Sequence, residues 1–235
     1  KVAYKGVSST RALREVSGAP WIQYGKDPKD MTLDINTGID VTLAVDKPLA
    51  YIVPPQWPEV IEVLRAHGLA MQKLTRAVTG SFGGYRLTDP SWAERPFEGR
   101  HAVKFTTQIL KGIERTFPAG SVVVPLNQRS STVAVNLLDP QGVDSFASWG
   151  FFDSVMEQKE YAEAYVMEKV SRDMMAKDPE LRAAFLAALA DPNFAASPAR
   201  RLDFFFKRSP WNDDHIGLYP VGLVTVPWDL PVEPL

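Results

Sequence analysis

Between residues 39 and 46 the chain alternates, with Ile39, Val41, Leu43 and Val45 on one side and Asp40, Thr42, Ala44 and Asp46 on the other. A period of two predicts a strand with one buried face. The next run, Leu49, Ala50, Tyr51, Ile52 and Val53, is apolar without interruption and predicts a strand covered on both faces. Pro54 and Pro55 end it, and Pro58 suits the first turn of a helix because its missing N–H would be unpaired there anyway. In that helix Val60, Ile61 and Leu64 form the buried stripe and Glu59, Glu62 and Arg65 the solvated side, with Gly68 as the stop. A strand over 69–74 would complete a β-α-β unit, for which a right-handed crossover with parallel strands is expected. Strand signals continue over 80–87, over 103–113, where Val103, Phe105, Thr107 and Ile109 share one face, and over 121–124. Segment 131–138 fits a short helix capped by Ser130 or Ser131, and equally a strand carrying Val133, Val135 and Leu137.

From about Ser154 to Arg208 the period lengthens. Tyr161, Tyr165, Val166, Val170 and Met174 recur at helical spacing and predict a buried stripe. Asp178-Pro179 restarts a helix with Leu181, Phe185 and Leu189 inward, and Ser197-Pro198 launches a third with Leu202, Phe205 and Phe206 inward. A closing strand over 217–226 returns to the sheet. The pattern as a whole predicts an α+β fold: a mixed sheet with one β-α-β unit in the first two thirds and a helical layer of about three helices after it. It reads as one domain, 1–235, divisible into a mainly β part, 1–127, and a mainly helical part, 128–235.

Composition narrows the chemistry. With 45% hydrophobic residues the chain can bury a core, and 26 basic against 28 acidic residues provide no long-range field for phosphates. Nucleic acid is therefore not an expected partner, and no apolar run reaches the roughly 18 residues of a membrane span. Cysteine is absent, which excludes disulfides, thiolate catalysis and Cys-ligated zinc. The chain begins at Lys1 without an initiator Met, which suggests a fragment.

The three histidines, His67, His101 and His215, lie far apart, none with a second His or a Glu at zinc-ligand spacing, so no metal site is expected in this chain. No Gly-x-Ser-x-Gly elbow occurs. Gly80-Ser81-Phe82-Gly83-Gly84 lacks the Lys of a phosphate loop and predicts a bend or bulge. Asp213, Asp214 and His215 form the densest polar group suited to acid–base work, although acids after Ser-Pro are most often turn formers. Glu157, Glu160, Glu163 and Glu168 read as a solvated face that pairs with Lys159, Lys169 and Arg172. Trp149, Phe151 and Phe152, with Phe204, Phe205 and Phe206, are candidates for an interdomain contact: three consecutive helical Phe span too wide an arc for one core. Trp57, Trp92 and Trp211 are candidate stacking platforms for sugar or peptide.

Several of these segments resemble, in order, the region downstream of the catalytic domain in large bacterial M14 zinc carboxypeptidase-like proteins. They run from Pro48-Leu49-Ala50-Tyr51-Ile52-Val53-Pro54 and Trp57-Pro58-Glu59-Val60-Ile61 through Phe117-Pro118-Ala119-Gly120-Ser121 and Leu137-Leu138-Asp139-Pro140. Trp149-Gly150-Phe151-Phe152, Arg201-Leu202-Asp203-Phe204-Phe205 and Leu218-Tyr219-Pro220-Val221 follow. The resemblance covers about 16–221. In that family a His-x-x-Glu pair and a later His hold zinc and a Glu acts as general base, all in the preceding domain, and none of those motifs occurs here. The resemblance implies a non-catalytic accessory domain, with zinc only in the parent's catalytic domain. It also implies a covalently linked upstream peptidase domain as partner, and a secreted or periplasmic protein. The rival readings are a free-standing peptide- or glycan-binding module and an acid–base hydrolase at Asp213, Asp214 and His215.

Overall fold

A computed structural model of the chain describes residues 1–159 and 161–235; Glu160, one of the acids expected on the helical face, lies outside the described residues. The chain divides into two units, Lys1–Asp46 and Lys47–Leu235.

The first unit is an antiparallel hairpin of β1 (Val2–Leu13) and β2 (Pro20–Leu33), with Val2 opposite Leu33 and Leu13 opposite Pro20. Its register shifts between Val7 and Ser9. The strand predicted over 39–46 is not formed, and Ile39 is 92% exposed. Alternation satisfies side chains, but a strand also needs a neighbour for its N–H and C=O groups, and among the described residues no strand pairs with this segment.

The second unit is built on one sheet, in the order β6-β5-β8-β3-β7-β4-β9, formed by β3 (Ala50–Val53), β4 (Gln72–Leu74), β5 (Val78–Trp92), β6 (Val103–Phe117), β7 (Val122–Pro125), β8 (Gly222–Val224) and β9 (Val232–Pro234). Every described pairing in it is antiparallel. The expected β-α-β unit is present in split form, since β3 and β4 both run antiparallel to β7 and hence parallel to each other, with β7 between them. The connecting helix α1 (Pro58–Ala66) buries Val60, Ile61 and Leu64, and Gly68 follows it at φ +69°.

Both faces of the sheet are covered, as the apolar run of β3 requires. Tyr51 and Val53 join Val122, Val124, Tyr85, Leu87 and Tyr219 in one core, beneath α1 and α2 (Ser131–Leu138). Ala50 and Ile52 join Leu74, Val78, Phe82, Phe117 and Val123 on the other face, beneath Leu230 and Val232. The β5–β6 pair serves both cores through a bulge. Phe82 lies opposite Ile113 but Gly84 opposite Leu110, so β6 carries one extra residue there, and Gly112 takes it up at φ +69°. Val103 therefore enters the first core and Phe117 the second, while Ile109, expected inward with Val103, is 58% exposed.

Segment 131–138 resolves as helix, with Ala134 and Leu138 inward at a spacing of four. The helical layer comprises α3 (Ala164–Lys177), α4 (Pro179–Ala188), α5 (Pro192–Ala195) and α6 (Pro198–Phe206) around Met167, Phe185, Phe205 and Phe206. Two expected caps form: Asp178 accepts from the N–H groups of Glu180 and Leu181, and Ser197 from that of Arg200, whereas Ser130 takes the N-cap position of α2 without a side-chain capping hydrogen bond. The stripe expected on α3 is realised in part, with Val170 and Met174 packed against this core. Tyr161 precedes the helix, Tyr165 faces solvent, and Met167 and Ser171 turn inward because α4 and α6 pack on that side. The α+β class stands: a two-faced antiparallel sheet followed by helices.

Candidate functional site

Of the aromatic residues expected at an interdomain contact, Phe152, Phe205 and Phe206 lie in the interior. Phe152 is fully buried, with Trp57 edge-on at 4.7 Å and Tyr219 at 5.0 Å, and Phe205 and Phe206 close the helical core. Trp149, Phe151 and Phe204 are half-buried. Trp149 tilts against Phe97 at 6.1 Å, the Arg100 guanidinium lies 3.6 Å from the Phe151 ring centre, and that of Arg208 lies 3.8 Å from Phe204's. The helical arc of three Phe is thus absorbed by one core and one arginine.

The candidate platforms separate. Trp57 is packed into the core beside α1, and Trp92 hydrogen-bonds Asp153. Trp211 is 56% exposed and lines a pocket of about 260 Å³ with Tyr161, Glu163, Val166, Met167 and Phe206. Two local features build this pocket. Ser209 ends α6 in a tight turn, its hydroxyl donating to the Phe206 carbonyl and accepting from the Trp211 N–H, so the indole returns toward α3. At the start of α3 the Glu163 carbonyl accepts from the N–H groups of Val166 and Met167, which places the 161–163 segment along the opposite wall. Tyr161, Val166 and Trp211 give this pocket an exposed apolar rim.

Asp213, Asp214 and His215 do converge. His215 Nδ1 lies 3.4 Å from Asp213 Oδ1 and 3.2 Å from Asp214 Oδ1, and the His215 N–H donates to Asp213 Oδ1 at 2.9 Å, an Asx turn. The His215 and Asp214 side chains are 76% and 84% exposed, so water competes for every contact. Their ligand atoms lie within 4.8 Å of one another. One imidazole on three consecutive turn residues does not fit the two-histidine zinc set of the M14 pattern, and His67 and His101 each bond a backbone carbonyl elsewhere. Glu157, Glu163 and Glu168 are solvated as expected, while Lys169 pairs with Asp173 at 3.0 Å and holds that carboxyl below its usual range.

Two polar loci escaped the sequence pattern. On the first core, Asp139 is buried, accepts from the Tyr85 hydroxyl at 2.7 Å and from the Gln141 N–H at 3.0 Å, and lies near Tyr51 and Tyr219. Burial, with the Asp139 charge adding to it, raises both the Tyr51 and the Tyr219 phenol. Near the end of β5, Asp153 keeps Oδ1 buried without a donor among the described residues. Desolvation lifts its carboxyl, the Trp92 hydrogen bond opposes this, Glu157 adds to it, and Arg100 and His101 oppose it. The one advance signal was a buried-sequence context: Asp139 sits among Leu137, Leu138 and Pro140, and Asp153 follows Phe151 and Phe152.

Comparison with known proteins places the chain coarsely. It is 34% identical over 116 residues to "Carboxypeptidase 2" of Trichophyton tonsurans and to that of Trichophyton equinum, and 33% identical to that of Trichophyton rubrum. The match takes in 48% of this chain and 21% of each relative, so the chain spans about a fifth of the length of the curated relatives it matches. No family model matches. No solved structure matches either. The chain is thus related to a region of fungal proteins named as carboxypeptidases, and no helix among the described residues is long and apolar enough to cross a membrane.

Proposed function

We propose that this chain is a non-catalytic accessory region of an M14-like zinc carboxypeptidase that packs on or stabilises the peptidase domain. The observation that carries the reading is the match to a fifth of proteins named carboxypeptidase 2. The absence of a His-x-x-Glu pair from the sequence supports it, because the catalytic zinc set must then lie elsewhere. In this reading the docking surface is the exposed apolar rim of Tyr161, Val166 and Trp211, since Phe152, Phe205 and Phe206 are buried in the two cores. The test compares the full-length parent with this 235-residue chain for release of C-terminal residues from a peptide and for bound zinc. Zinc and activity are expected in the parent alone; stoichiometric zinc or hydrolysis in the isolated chain overturns the reading.

A second reading is a free-standing peptide-binding module. The pocket that holds the exposed Trp211 ring favours it. The acid–base hydrolase reading draws no comparable support, because Asp214 and His215 stand open to solvent and only Asp213 is half-buried.

A further inference from the structure

The Trp211 pocket combines exposed ring faces, a thioether and an acid: Tyr161 is 80% and Trp211 56% exposed, Met167 forms the floor, and Glu163 stands in the wall. Elsewhere the chain covers rings with its own cations, as Arg100 does Phe151, Arg201 does Phe185 and Arg208 does Phe204. Among the described residues no lysine or arginine lies over Tyr161 or Trp211. Nor do Glu163, Asp213 and Asp214 form an ion pair with any lysine or arginine among those residues; the two aspartates face only His215. Asp213 and Asp214 follow Trp211 by two and three residues, so at one Cα step of 3.8 Å each their Cα atoms lie within about 8 and 11 Å of it. That is comparable with the screening length of about 8 Å at physiological ionic strength, so their charge is felt at the ring.

The geometry points to a cation site: we infer that this pocket receives the lysine or arginine side chain of a bound peptide. The stem packs along Val166 and Met167, the cationic head lies against Trp211 and Tyr161, and Glu163, Asp213 and Asp214 supply the counter-charge. A volume of about 260 Å³ is below the roughly 300 to 1,000 Å³ of sites for whole small molecules and suits one long side chain. The inference rests on the peptide-binding reading of the same pocket.

Titration calorimetry on the 235-residue chain tests it, with three nonapeptides of Gly and Ser that carry lysine, norleucine or glutamate at the centre. The lysine peptide is expected to bind about tenfold tighter than the norleucine peptide, with most of the difference lost at high salt. Trp211→Ala and Glu163→Gln, both at exposed positions and checked for folding by circular dichroism, should each weaken lysine binding about fivefold and leave the norleucine peptide little changed in the case of Glu163→Gln. Equal binding of lysine and norleucine overturns the cation site while leaving the peptide-binding reading standing. No binding of any peptide overturns both.

Discussion

The hydroxyl of Tyr85 donates to the carboxylate of Asp139 across 2.7 Å, joining β5 to the residue that ends α2, 54 positions away. Asp139 is 1% exposed, so each donor it loses is not replaced by water. Tyr85→Phe keeps the ring and removes the donor. The expected cost is about 1 to 3 kcal/mol of unfolding free energy, the penalty of an under-satisfied buried acceptor. Urea unfolding would measure it, and a variant as stable as the parent would mean that Gln141 alone satisfies the carboxylate.

Asp153 presents the opposite case, a carboxylate held where charge is disfavoured. Its folded-state pKa is raised, so the folded chain holds the proton more tightly than the unfolded chain does. The associated stability is present at low pH and is lost as pH rises from the ordinary carboxyl range through the raised value. Asp153→Asn keeps an acceptor for Trp92 and cannot ionise. It should raise the melting temperature at pH 7 and change it little near pH 4. The same shift at both pH values would show that charge at this position does not matter to stability.

What the sequence made legible followed local rules. The proline-marked helix starts at Pro58, Pro179 and Pro198, the Asp178 and Ser197 caps and the two-faced strand β3 all depend on neighbours within four residues. The failures were failures of partnership. The 39–46 alternation has no paired strand among the described residues, and the β1–β2 hairpin carries no period-two signal because its strands mix polar and apolar residues on both faces. Tyr161 and Tyr165 fit a helical stripe by spacing, but which side of α3 is buried depends on where α4 and α6 pack. The Trp211 pocket was half legible: the exposed ring could be nominated from its turn, whereas Tyr161 and Glu163, some 50 residues earlier, were read as parts of a helix rather than as its facing wall.

Two of the capping residues of the helical layer, Asp178 and Ser197, are expected to differ in weight. Asp178 Oδ1 accepts from two N–H groups at 2.9 Å, whereas Ser197 Oγ accepts from one at 3.3 Å. Asp178→Ala should therefore cost about 1 to 2 kcal/mol and Ser197→Ala about 0.5. Thermal unfolding of both variants checks the order, and a larger loss at Ser197 would contradict the hydrogen-bond geometry.

The sharpest contrast lies between two tryptophans that the sequence put on the same footing. Trp57 packs edge-on against Phe152 at 4.7 Å beside the first core, so Trp57→Ala opens a cavity beneath α1. Truncations of this kind cost about 3 to 5 kcal/mol when the ring is fully buried, and somewhat less is expected here because Trp57 is only partly buried. Trp211 is 56% exposed and supports no core, so Trp211→Ala should change stability by no more than about 0.5 kcal/mol. Denaturant titration of both variants, read beside peptide binding, separates structure from recognition. Trp57→Ala should lose stability first and binding only as the fold loosens, whereas Trp211→Ala should lose binding on an intact fold. If Trp211→Ala proves the more destabilising of the two, the indole is a structural prop for the turn at Ser209, and the pocket is a by-product of packing rather than a binding surface.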